Sequence, residues 1–113
     1  MADRIETYTR AIQNPQDSRE LFRSHFRRAE AHREAGNAEM AFQDYYSAKI
    51  VSCWLEKNER FSRWRKSAGM IPSTYCRKWA DQRMATVSSG IPPERQAALK
   101  LEAETALSRY LLK

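Results

Sequence analysis

The sequence predicts an all-α protein, a single helical bundle of about five helices built around one long central helix. Apolar residues recur at spacings of three and four along most of the 113 residues, as expected for helices that bury one face. A charged fraction of 30% and three glycines in all favour helices with solvated outer faces over a fold rich in hairpins. One core can stabilise a chain of this length, so residues 1–113 are expected to form a single domain.

Residues 1–17 are expected to form an N-terminal helix and a linker. Asp3 can cap this helix, and Asn14 followed by Pro15 ends it. Its apolar residues follow the spacing of one helical face: Ile5, Tyr8 and Ile12.

Residues 18–58 are expected to form an antiparallel helix hairpin that turns at Gly36. Glycine can take the left-handed conformation that ends a helix, and small side chains let the next helix pack closely. The helix that begins near Asn37 or Ala38 and ends at about Glu56 is apolar on most of its surface, so we expect it at the centre of the bundle, covered on two sides. The following residues are assigned to the turn and to helix packing: Ala29, Gly36, Ala41, Tyr45 and Ala48.

The second half of the chain divides into a connection and a helix pair. Residues 59–72 mix basic and aromatic side chains and give no regular pattern. Residues 73–113 are expected to form two helices, because Ser73 can cap the first and Pro93 with Glu94 suits the start of the second.

No pattern in the sequence indicates an enzyme, a metal site or a cofactor. There is no glycine-rich phosphate loop, no nucleophile elbow and no recognisable pair of catalytic carboxylates. His25 and His32 are seven residues apart, or roughly 10 Å along a helix, which is too far for one metal ion. Cys53 and Cys76 are expected to be reduced, buried thiols, which suits a cytoplasmic protein.

The partner class is open from composition alone. No apolar run of about 18 residues is present, so no integral membrane segment is expected. The formal charge of +6 favours acidic partners, whether these are proteins or nucleic acids.

The segment from Glu34 to Phe42, with the sequence EAGNAEMAF and followed by Tyr45 and Tyr46, resembles a known family. It is similar to the N-terminal domain shared by AMSH-type ubiquitin isopeptidases and endosomal ubiquitin-specific proteases, which itself resembles microtubule-interacting and trafficking (MIT) domains. A tetratricopeptide unit has small residues and a glycine at similar places, but this chain has no second repeat.

The resemblance implies a non-catalytic module that dimerises or localises a deubiquitinase and, in some members, binds helical tails of ESCRT-III subunits on endosomes. No catalytic residue of the family matches this chain. The chain would then be a domain of a larger deubiquitinase or a stand-alone relative, with a cytoplasmic and endosome-associated location.

The leading hypothesis is therefore a protein-interaction or dimerisation module. A helical or acidic segment of a partner, such as an ESCRT-III tail, or a second copy would bind in grooves between the second, third and last helices. The expected apolar and polar contacts are Phe42, Tyr46, Lys49 and Trp54, and the expected rim charges are Arg60, Arg63, Arg65 and Lys66.

The alternative hypothesis is a basic nucleic-acid-binding protein that uses residues 57–83. This segment has eight Lys or Arg residues against two acids, and its aromatic side chains could stack on exposed bases while the basic ones neutralise phosphates. The aromatic residues concerned are Phe61, Trp64, Tyr75 and Trp79.

Overall fold

The structure is a computed structural model that describes residues 2–15, 18–57 and 73–111. The described residues form five helices: α1 (Ala2–Gln13), α2 (Ser18–Glu34), α3 (Ala38–Lys57), α4 (Ser73–Ser88) and α5 (Pro93–Leu111). No strand occurs in these ranges, so the predicted all-α fold class is confirmed. The predicted basic and aromatic connection at 59–72 lies outside them.

Gly36 closes the hairpin between α2 and α3. Its φ of +82° lies in the left-handed region that favours glycine. The N–H of Gly36 donates to the carbonyl of Arg33 at 3.0 Å, and the N–H of Asn37 donates to that of His32 at 2.8 Å. These bonds satisfy carbonyls at the end of α2. The Asn37 side chain then accepts from the N–H of Met40 at 3.3 Å, so the same short turn caps the start of α3.

α3 is the central helix of the bundle. It packs against α2, α4 and α5, while α1 packs on α2. Ala29 on α2 and Ala41 and Ala48 on α3 are 0% exposed, and their small side chains allow the neighbouring helices to approach closely. Tyr45 on α3 is also 0% exposed and fills the core with its large ring. α3 therefore has buried side chains facing several neighbours, which accounts for its apolar sequence.

The buried side chains form two clusters along α3. The larger one joins α2, α3, α4, α5 and the turn before α5, and consists of Ala29, Ala41, Phe42, Tyr45, Met84, Val87, Ile91 and Leu99. The smaller one joins the other ends of α2, α3 and α5, and consists of Leu21, Val51 and Leu107.

Contacts along α3 fix the direction of its neighbours. Lys49 pairs with Asp81 of α4 at 2.9 Å, whereas Phe42, two turns earlier on α3, shares its cluster with the later Val87. α4 is therefore antiparallel to α3. α2 is also antiparallel to α3 because of the hairpin, so α2 and α4 run in the same direction.

Candidate functional site

Phe42, which was predicted to contact a partner, is a core residue. Its side chain is 1% exposed and lies in the cluster with Met84 of α4 and Leu99 of α5. A partner cannot touch it while the bundle is closed, so the prediction is wrong for Phe42. The physical reason is the central position of α3, because α4 and α5 cover the face of α3 that carries Phe42.

Tyr46 and Lys49 are half-buried and bind residues of the same chain. The Tyr46 hydroxyl donates to Glu104 at 2.7 Å, and Lys100 Nζ lies 5.4 Å from the centroid of the Tyr46 ring. Burial, reinforced by this bond to Glu104, raises the pKa of Tyr46 to about 12. Lys49 Nζ pairs with Asp81 at 2.9 Å. Both side chains thus hold neighbouring helices to α3.

The remaining predicted contact residues fall at or beyond the end of α3. Trp54 is half-buried and packs against the smaller core cluster. Four predicted rim residues lie outside the described residues, so their role stays a prediction: Arg60, Arg63, Arg65 and Lys66.

A buried polar network joins α1, α2 and α3. The Asp44 side chain is 2% exposed and accepts two hydrogen bonds from Arg28, from Nε and from Nη2, each at 2.7 Å. His25 Nδ1 lies 3.0 Å from the same carboxylate, and His32 Nε2 lies 3.8 Å from it. Arg28 also donates to the Thr9 hydroxyl at 3.0 Å, which connects α1 to the network.

The electrostatics of this network keep Asp44 ionised. Burial alone would raise the pKa of Asp44, but the hydrogen bonds from His25 and Arg28 and the charge of Arg28 together lower it. An ionised carboxylate only accepts hydrogen bonds, so His25 Nδ1 carries a hydrogen. Burial lowers the pKa of His32 despite the opposing effect of Asp44, and Arg28 lowers it further. The network therefore consists of a buried ion pair with two histidines around it.

Sequence reasoning missed this network. It treated His25 and His32 as separate helix residues and did not single out Asp44. The signal was present in α3, because Asp44 is three residues after Ala41 and four before Ala48, on the face of the helix that those alanines bury. A carboxylate at such a position needs a buried cationic partner.

An open cleft lies between the end of α1, the middle of α2 and two turns of α5. Its volume is 610 Å³. Leu101 is a large apolar side chain of this lining and is 64% exposed. His25 and Arg28 of the polar network contribute to its polar part. The lining residues are Ile12, Gln13, His25, Arg28, Leu101, Glu102, Thr105, Ala106 and Leu107.

Two other kinds of site were sought in the described ranges. No group of three or more His, Cys, Asp or Glu side chains there is arranged to hold a metal ion. No helix in those ranges has the length and apolar character needed to span a membrane.

Comparison with known proteins gives no match for this chain, whether against family models, curated proteins or solved structures. The resemblance to the MIT-like domain therefore stays an expectation.

Proposed function

We propose that this protein is a non-catalytic interaction module that binds an amphipathic helix of another protein in the cleft between α1, α2 and α5. The observation that carries the proposal is the open cleft itself, with Leu101 64% exposed at its edge. A large apolar side chain left this accessible beside a concave surface is typical of a site that a partner covers.

The shape and chemistry of the cleft suit a helix. Its lining on α5 extends from Leu101 to Leu107, about 9 Å along the helix, which accommodates two apolar anchors one turn apart on the bound helix. Ile12 and Ala106 extend the apolar surface, and Thr105 offers a polar group at its edge. The partner helix would bind by its apolar face, in the helix-in-groove manner.

The charge of the chain favours an acidic partner. The formal charge is +6, which accelerates association with negatively charged segments. Arg28 lies in the cleft, but its two hydrogen bonds to Asp44 already balance much of its charge. Acidic residues on the partner would therefore flank its apolar face and meet the outer surface of the domain.

The resemblance to the N-terminal domain of endosomal deubiquitinases supports the same class of partner. Helical tails of ESCRT-III subunits are the expected ligands of some members of that family, and they make suitable probes. Self-association through the same cleft is the competing outcome, and its signature is a dimer in solution.

The test measures binding of fluorescein-labelled amphipathic helices, including C-terminal helices of ESCRT-III subunits, by fluorescence anisotropy. Leu101→Asp should weaken binding at least about tenfold, because covering the exposed part of a leucine contributes roughly 1–2 kcal/mol and the new carboxylate adds a desolvation cost. Ala97→Asp is the matched control, since Ala97 is an exposed residue of α5 that does not line the cleft.

Circular dichroism establishes that both variants retain the helical fold, and light scattering gives the mass. Equal loss of binding in the two variants would contradict the proposal, and so would a panel in which no helix binds. If the protein is a dimer in solution and Leu101→Asp makes it a monomer, the occupant of the cleft is a second copy of the chain and not a partner helix.

A further inference from the structure

Most basic side chains on the described surface have an acidic partner. The ion pairs are Arg4 with Glu34, Arg10 with Glu6, Arg33 and Arg83 with Glu30, Lys49 with Asp81, and Arg95 with Glu39. Arg23 and Arg27 differ from these residues. Both are exposed, and neither forms an ion pair or a side-chain hydrogen bond within the described part of the chain. No carboxylate in the described part of the chain therefore pairs with either guanidinium group.

Arg23 and Arg27 lie on one face of α2. Residues four apart on a helix are neighbours, with about 5–6 Å between their Cβ atoms, and like charges at this spacing repel each other and destabilise the helix. Farther along α2, Glu30 already binds Arg33 and Arg83, so it does not offset the two arginines. This part of α2 is therefore an electropositive strip that an anion would stabilise.

An exposed tryptophan lies on the side of α4 that faces α2. Trp79 is 42% exposed and precedes Arg83 by four residues, which puts both on the same side of α4. That side faces α2, because Arg83 Nε donates to Glu30 of α2 at 3.0 Å. Trp79 is about one turn before Arg83 on α4, and Arg27 is about one turn before Glu30 on α2. Because α2 and α4 run in the same direction, Trp79 and Arg27 lie toward the same end of the two helices from the Arg83–Glu30 bond.

We propose that Arg23, Arg27 and Trp79 form a binding surface for single-stranded nucleic acid. The two guanidinium groups would bind neighbouring phosphates, and the indole ring would stack on a base. A single strand fits better than a duplex, because only unpaired bases expose a face to an aromatic side chain. An acidic protein segment would also satisfy the arginines, and it is the alternative outcome of the experiment below. This surface is separate from the cleft that contains Leu101.

The experiment is a salt titration of binding to a fluorescein-labelled oligo-dT and oligo-U, followed by anisotropy. The double variant Arg23→Gln/Arg27→Gln removes two charges from the strip. Arg10→Gln/Arg95→Gln is the matched control, because it lowers the formal charge by the same amount at two exposed, acid-paired arginines elsewhere.

Loss of two phosphate contacts should reduce the slope of log affinity against log salt by about 1.4 for a single strand. The control variant should change the slope by less than half of that. Trp79→Ala should weaken binding by at least about fivefold, and Trp79→Phe should restore part of it because a ring remains for stacking.

Three outcomes would overturn the proposal. One is no binding of either oligonucleotide at low salt. Another is an equal change in slope for the two double variants, which would show a response to net charge alone. The third is tighter binding of a poly-glutamate peptide that Trp79→Ala leaves unchanged, which would identify an acidic protein as the ligand. Variants of Leu101 should leave oligonucleotide binding unchanged, so this test and that of the cleft fail independently.

Discussion

Replacement of Asp44 by asparagine tests the buried network that joins three helices. The carboxylate accepts two hydrogen bonds from Arg28 at 2.7 Å and one from His25 at 3.0 Å. Asparagine has nearly the same shape but keeps one acceptor oxygen and turns an NH2 group toward these donors. Arg28, with a side chain only 17% exposed, would then hold a charge without its counterion.

The expected loss of stability is large. Removing one member of a buried ion pair costs about 3–5 kcal/mol, because the other charge stays buried and uncompensated. The free energy of unfolding expected for a domain of 113 residues is about 6–17 kcal/mol. The variant should therefore still fold, and its loss of stability can be measured. Glu39→Gln makes the same chemical change on the same helix at an exposed pair with Arg95, and should cost far less stability because solvent-exposed ion pairs contribute little.

The assay is urea denaturation followed by circular dichroism, at pH 7 and at stepwise lower pH. The pKa of Asp44 is lower in the folded state than its ordinary value of 3.8. The contribution of Asp44 to stability is therefore complete above pH 3.8 and is lost as the pH falls through the lower folded-state pKa. The difference in stability between the native protein and Asp44→Asn should narrow over this acidic range.

A double-mutant cycle with Arg28→Met separates the pair from its surroundings. Once Arg28 is gone, Asp44→Asn should cost much less than it does in the native protein. If Asp44→Asn loses no more stability than Glu39→Gln at pH 7, or if its effect is the same with and without Arg28, the reasoning about the ion pair is refuted.

Two smaller substitutions test the turn and the core. Gly36→Ala should lower the free energy of unfolding, measured with heat or urea, by about 1 kcal/mol, because alanine disfavours the φ of +82°. Gly90 has open space around it and no positive φ, so the free energy of unfolding of Gly90→Ala should stay within about 0.5 kcal/mol of the native value. Tyr45→Phe should be neutral or stabilising by up to about 1 kcal/mol, because the buried Tyr45 hydroxyl has no hydrogen-bond partner in the described part of the chain. Burial and the nearby Glu30 carboxylate raise the pKa of Tyr45, so a loss above about 1 kcal/mol would show that the hydroxyl donates to Glu30 in solution.

The fold was predictable because its signals are local. The spacing of apolar residues predicts the helices. Gly36 predicts the hairpin turn, and in the structure this residue has a φ of +82°. The helix expected to begin near Asn37 or Ala38 and to end at about Glu56 extends in the structure from Ala38 to Lys57. These features depend on residues a few positions apart, which a single sequence records.

The polar network was not predictable in the same way. Its members come from three helices, and the distance between Arg28 and Asp44 depends on the packing of α2 against α3. Sequence alone gave the seven-residue spacing of His25 and His32, but not the carboxylate that both approach. The cleft beside Leu101 was also out of reach, because it is formed by α1, α2 and α5 together.

The central position of α3 also decides where a partner can bind. A helix that is apolar on most sides either contacts a ligand or packs against several helices of its own chain, and one side chain cannot do both. For α3 the neighbours use that surface, since Phe42 is 1% exposed and Tyr46 and Lys49 bind α5 and α4. The two proposed binding sites therefore lie on the outer helices, where Leu101, Trp79, Arg23 and Arg27 are exposed. Substitutions at those positions should alter binding without unfolding the bundle, whereas substitutions of Phe42 should destabilise the bundle itself.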